Sequence, residues 1–208
     1  MIKIKPFIQC WLNNSTRWAL NKHLKKPKGI MIHSTGFSQP YLNYFVRPSK
    51  SDPNREEIIN ILGEYRNFTD YNHTRHDNGY HFWIGKDKND EVQTMYTLPL
   101  DLKAYSDDYI HIIICEDNLK DIDYLKMCLT EVVLLCYWLL IHFPYLKPED
   151  IIDHSSNGYS PDISYWLELF DMDFELIPAY VWSLCTIDEK TDMPVLFARL
   201  QEALDLLS

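Results

Sequence analysis

The sequence predicts a mixed α/β (α+β) domain, a central β-sheet flanked by helices. Three observations carry that reading. Short apolar runs rich in β-branched and aromatic residues recur at 30–33, 79–85, 91–97 and 109–115. Segments with helical spacing stand between and after them, at 54–66 and 121–143. Pro, Gly, Asp and Asn punctuate the boundaries. With 208 residues, 46% of them hydrophobic, the chain is long enough for one sizeable core.

The elements follow in order. Met1 to Phe7 alternate apolar side chains with lysine, the pattern of a first strand, placed at residues 2–9. "KKPKG" (25–29) is a connection that delivers the chain into the apolar strand 30–33. Asp52 and Pro53 are start signals for a helix over 54–66, in which Ile58, Ile59, Ile61, Leu62 and Tyr65 recur at helical spacing. "GYHFWIG" (79–85) and "EVQTMYT" (91–97) form a hairpin across "KDKND". "YIHIIIC" (109–115) has the continuous apolar character of an interior strand. The long helix 121–143 packs across the sheet, and a short strand at 151–153, a loop and a short helix from about Asp162 follow. Thr191, Asp192 and Pro194 open an amphipathic terminal helix. Strand directions are not readable from such patterns.

Composition excludes several classes. The formal charge of −10 argues against nucleic-acid binding, although the first 51 residues hold nine Lys or Arg and no Asp or Glu. That basic segment is either a face for an anionic ligand or a solvated face neutralised by the rest of the fold. The longest apolar run, "VVLLCYWLLI" (132–141), is half a bilayer span and continues a helical pattern, so a buried core helix without membrane insertion is expected. Five scattered cysteines without CxxC spacing fit reduced thiols. No charged segment followed by a long apolar stretch opens the chain, so synthesis in the cytoplasm without a signal peptide is expected.

Two apolar strands end on histidine in the same manner. "GIMIH" ends on His33 and "DIIDH" on His154, each before small polar residues, and Asp162 stands eight residues past His154. Were the two strands neighbours, both imidazoles would project from one edge of the sheet. Two imidazole nitrogens, a carboxylate and an open fourth position make a catalytic zinc arrangement. Such a site lowers the pKa of bound water to about 7. The plain alternative for each histidine is a hydrogen-bonded surface or core residue.

Taken together, "KGIMIHSTG", "GYHFWIGKD", "IHIIICED" and "IIDHSSNGYSPDISYW" resemble the N-acetylmuramoyl-L-alanine amidases of the peptidoglycan-recognition-protein and phage-lysin type (type 2 amidases). The likeness covers about residues 25–170, giving an amidase-like domain at 1–170 and a C-terminal extension, 171–208, packed on the same domain. It implies a zinc ion held by His33, His154 and Asp162. It also implies hydrolysis of the amide between N-acetylmuramic acid and L-alanine, as a phage endolysin or an autolysin performs it. The partner implied is peptidoglycan or a muropeptide, reached at the cell wall after release from the cytoplasm.

Departures from the family pattern bear on the chemistry. Tyr80 fits a strand tyrosine that assists the metal-bound water in relatives, and its plain alternative is an ordinary strand aromatic. Where relatives carry a Glu two residues before the Cys of the interior strand, this chain has Ile113, and Glu116 falls three residues late. Where relatives carry a Lys or His two positions before the last ligand, it has Ser160. Lys103 and His111 are the candidate substitutes, each with a bland reading as a solvated lysine and a core histidine. The group His73, His76 and His81 lacks a paired Cys or carboxylate at metal spacing, and its loop reads instead as a cleft border, where Tyr71 and Trp83 either stack on substrate or simply pack, two readings the sequence does not distinguish. Two further readings stay open. One is a degenerate relative that only binds muropeptide, and the other is a zinc amide hydrolase with a substrate outside the wall.

Overall fold

The computed structural model describes residues 7–10, 23–46, 48–64, 80–104, 107–154 and 163–186. Six strands make one sheet: β1 (Ile8–Gln9), β2 (Gly29–Ser34), β3 (Phe82–Lys86), β4 (Val92–Tyr96), β5 (Tyr109–Ile114) and β6 (Ile151–Asp153). Their spatial order is β1-β4-β3-β5-β2-β6. β6, β2, β5 and β3 run parallel, β3 and β4 form the antiparallel hairpin, and β1 runs parallel to β4. The sheet is therefore mixed, with helices on both faces. Its helices are α1 (Arg55–Leu62), α2 (Ile122–His142), α3 (Ile163–Glu168) and α4 (Leu176–Thr186).

Strand parity divides the core. Ile30 and Ile32 of β2, Phe82 and Ile84 of β3, and the even-numbered isoleucines of β5 pack with α2 in one apolar cluster. Trp83, Ile113 and Cys115, from the odd positions, join Leu42, Phe45, Ile58 and Leu62 on the opposite face. A period of two sends alternate side chains to opposite sides, and a strand covered on both faces loses the polar alternation of a surface strand. That is why β5 reads as an unbroken apolar run. Each fully buried isoleucine contributes about 1.5–3 kcal/mol relative to exposure. His33 is the odd residue at the end of β2, so it belongs to the second face.

α2 is long and apolar enough to cross a membrane by length and composition. Here it packs on β3, β4 and α4, with Tyr124, Cys128, Val132 and Leu139 fully buried. Asp121 caps it by accepting the Tyr124 N–H at 3.0 Å. The expected first helix is shorter, ending at Gly63 with φ 85°, while its last two expected residues lie outside the described residues.

One helix has no counterpart in the sequence reading. α4 contains Pro178 as its third residue, which masks the helical spacing around it. Pro is tolerated there because N–H groups of the first turn have no intrahelical acceptor. Ile177, Val181 and Leu184 of α4 join the cluster around α2. The terminal helix expected after Thr191 lies outside the described residues.

Candidate metal centre

β2 and β6 are neighbouring parallel strands in register Ile30 with Ile151 and Ile32 with Asp153. The His154 N–H continues the ladder by donating to the Ile32 carbonyl at 3.3 Å. This brings the two strand-ending imidazoles side by side, with ring centroids 4.6 Å apart and planes 34° from parallel. The two residues are far apart in the chain, and the parallel register alone joins them. Gly29 permits the close approach of β6, since a Cβ there would land on the Asp150 carbonyl oxygen. Beyond Ser34, Gly36 at φ 72° turns the chain away from the site.

His33 is 1% exposed. Burial first, then the neighbouring His111 and His154, lowers its pKa to about 2, so the ring is neutral, the form in which imidazole ligates metals. Its Nε2 lies 2.8 Å from His111 Nδ1. His111 Nε2 in turn lies 2.7 Å from Asp107 Oδ1. The nitrogen of His33 not engaged by His111 is Nδ1.

Asp107 is the functional candidate that sequence reasoning missed. An extended strand would hold it about 13 Å from His111. The chain instead turns before β5, with Asp107 Oδ1 accepting the Tyr109 N–H at 3.2 Å, and this folds the carboxylate back beneath the imidazole. Burial raises the Asp107 pKa, but the hydrogen bonds from His111 and the Tyr109 N–H are among the contacts that outweigh it and hold the carboxyl below its ordinary value. The available signal was the pair Asp107–Asp108 ahead of a strand whose third residue is histidine.

The other candidates fall as follows. Tyr80, 5% exposed, lies just before β3 with its ring edge against His33, centroids 5.1 Å apart. His111 is at the site but is committed to His33 and Asp107. Lys103 pairs with Asp108, which also meets Lys28 at 3.5 Å, at the start of β5 and away from the strand end where His33 sits. Ile113 is the β5 residue in register with His33 and is 1% exposed, so the position next to the metal candidate is filled by an apolar side chain. Glu116, past the end of β5, accepts from Ser34 Oγ and from the Gly36 N–H, bracing the loop that follows His33. Burial raises its pKa. Asp162, Ser160, Tyr71, His73 and His76 lie outside the described residues.

Packing decides the readings of two more residues. Trp83 is 3% exposed and stacks on Phe45 at 5.1 Å, so it is a core residue and not a surface for substrate. His81 is fully buried, with Nε2 donating to the Leu102 carbonyl at 2.9 Å and Nδ1 accepting the His111 N–H at 3.0 Å. Both of its nitrogens are used within the fold, which leaves none for a metal.

Among the described residues, no group of three or more His, Cys, Asp or Glu side chains is disposed to hold a metal ion. What they do offer is two adjacent imidazoles, and His154 Nδ1 is a buried nitrogen without a hydrogen-bond partner. Buried polar atoms are rarely left unsatisfied, and a metal is one way to satisfy such a nitrogen. The donor set suits zinc and is one ligand short within the described residues.

The mixed sheet with a long helix across one face is an architecture that the chain shares with solved structures of other proteins. The chain is similar in structure to PlyL, with a TM-score of 0.54 and 14% identity over 85% of this chain and 97% of that one. It is similar to the PlyG catalytic domain, with a TM-score of 0.55 and 14% identity over 90% and 100% of the two chains. It is also similar to the Staphylococcus aureus hydrolase AmiA in complex with its ligand, with a TM-score of 0.50 and 12% identity over 85% and 82%. At these identities the likeness is one of fold. No protein-family model matches the sequence, and no curated protein matches it.

Proposed function

We propose that the chain is a zinc-dependent peptidoglycan amidase that cleaves the bond between N-acetylmuramic acid and L-alanine, with His33, His154 and Asp162 as metal ligands. The observation that carries this reading is the adjacent pair His33 and His154, with ring centroids 4.6 Å apart at the ends of neighbouring strands. The fold shared with PlyL, PlyG and AmiA supports it. Zinc, when bound, supplies a Lewis acid for the scissile carbonyl and an activated water. The chain's own residues hold and orient the donors: burial keeps His33 neutral, and the β2–β6 ladder keeps His154 beside it. Tyr80, with its ring against His33, is the side chain assigned to handling a proton. In this reading the protein meets cell-wall peptidoglycan after release from the cytoplasm.

A second reading has its own observation. Ile113 occupies the register position beside His33, and Lys103 is tied to Asp108, so neither of these positions replaces the carboxylate and the cation of the family pattern. That arrangement suits a protein that binds muropeptide without cleaving it.

Incubating the purified chain with isolated sacculi separates the two. The amidase reading expects new L-alanine amino groups, one zinc per chain, and loss of both in His33→Ala. Sacculi that bind the protein but release no amino groups support the second reading.

A further inference from the structure

Three side chains from two strands and a turn make one continuous hydrogen-bonded path. Asp107 Oδ1 meets His111 Nε2 at 2.7 Å, and His111 Nδ1 meets His33 Nε2 at 2.8 Å. We infer that Asp107 and His111 are positioning residues that fix the tautomer of His33, placing its ring proton on Nε2 and leaving Nδ1 as the lone-pair donor.

The direction of the path follows from donor and acceptor counting. A carboxylate oxygen only accepts, so the hydrogen between Asp107 and His111 sits on His111 Nε2. A His111 ring with one proton then presents a bare lone pair at Nδ1. Facing that lone pair at 2.8 Å, His33 Nε2 must carry a hydrogen, because two lone pairs at this distance repel and would leave two buried acceptors unsatisfied. A neutral His33 with its proton on Nε2 has one donor nitrogen left, Nδ1.

The rest of the fold holds His111 for this task. Its backbone N–H is bonded to His81 Nδ1, and its ring lies parallel to that of His81, with planes 11° apart and centroids at 6.2 Å. Asp107 is held by the Tyr109 N–H. Metal-ligating histidines commonly donate their second nitrogen to a carboxylate or carbonyl, which fixes ring orientation and raises ligand basicity. Here a second imidazole is inserted between carboxylate and ligand, so the negative charge acts from one ring further away. The purpose of the path rests on the proposed role of His33 as a metal ligand, but the tautomer itself is a property of the metal-free protein.

The test uses ring ¹⁵N chemical shifts of His33 and His111 in the full chain, stripped of metal, at pH 8. The expected spectrum has both rings singly protonated, with His33 predominantly in the Nε2–H form. His33 carrying its proton on Nδ1, an even mixture, or a doubly protonated His111 would overturn the proposal.

Two variants extend it. His111→Leu breaks the path, and zinc binding measured by competition with a chelating dye should weaken by about 10–100-fold, with His33 losing its tautomer preference. His111→Gln restores an acceptor toward His33 and a donor toward Asp107, and should return affinity to within about threefold of the wild type. Equal affinity in Leu, Gln and wild-type proteins, or a Gln variant as impaired as Leu, would overturn the proposal. Should wild-type His33 show the Nε2–H form while the protein takes up no zinc, the metal-centre reading fails and the tautomer assignment stands.

Discussion

Replacing Gly29 by alanine tests how closely the β2–β6 pairing is set. An added Cβ would fall on the Asp150 carbonyl oxygen, 3.3 Å from that carbonyl carbon and 3.1 Å from a ring carbon of Tyr109. The first obstacle is backbone at the start of β6, so no side-chain rotation relieves it. Overpacking of this kind costs about 1–3 kcal/mol. The reduced entropy of the unfolded alanine chain offsets about 0.4–1 kcal/mol of that. The net expectation is a loss of about 1–2 kcal/mol, or about 3–6 °C in Tm for a chain of this size. Because β6 carries His154 and β2 carries His33, a retreat of the Asp150 backbone also disturbs the spacing of the two imidazoles. Urea denaturation of the metal-free protein measures the first effect and zinc competition the second, where about a tenfold loss is expected. A Gly29→Ala protein as stable as the wild type, with unchanged zinc affinity, would refute the argument from close approach.

Other consequences are open to measurement. Tyr80→Phe removes only the phenol, so zinc content should hold while release of amino groups from sacculi falls by about 10²–10⁴-fold, as for loss of a general acid or base; unchanged turnover would take Tyr80 out of the chemistry. Ile113→Glu puts a carboxylate in register with His33 at a site that is 1% exposed. It should cost at least about 3 kcal/mol in urea unfolding, and a cost under about 1 kcal/mol would show that the site is open to water. His81 has its pKa lowered to about 3, chiefly by burial, with the Leu102 carbonyl opposing and His111 adding to the fall. The unfolded chain therefore binds this proton first as pH drops: the contribution is complete above about pH 6.5 and is lost on acidification toward about pH 3, at about 1.4 kcal/mol per unit. His81→Gln should flatten the dependence of stability on pH between about 6 and 4 by about one proton, and an unchanged slope would contradict the buried neutral ring.

Elements with a single strong pattern were legible. β5 was readable because a strand buried on both faces needs apolar side chains at every position, and α2 because its apolar spacing persists for about six turns. β2 and β6 were found from runs that stop on histidine. α4 was not, since Pro178 reads as a breaker unless it is known to lie in a first turn. The role of Trp83 stayed open because an aromatic on a strand looks the same in sequence whether it faces substrate or Phe45. Glu116 was judged by strand register, yet its chain leaves the strand after Ile114, so its carboxylate reaches back to Ser34 and Gly36.

By itself the sequence determined which residue types were available for chemistry: a histidine at the end of each of two strands, a carboxylate eight residues past the second, and an isoleucine at position 113 of the interior strand. Those are properties of local order, carried by periodicity and spacing along the chain. Only the tertiary structure decided that β6 lies beside β2, that His33 touches His111 across 78 residues, and that a turn brings Asp107 beneath it. The physical reason is that strand pairing is satisfied by generic backbone hydrogen bonds, which leave no local mark of their partner, whereas the contacts that orient an imidazole depend on where each strand finally sits.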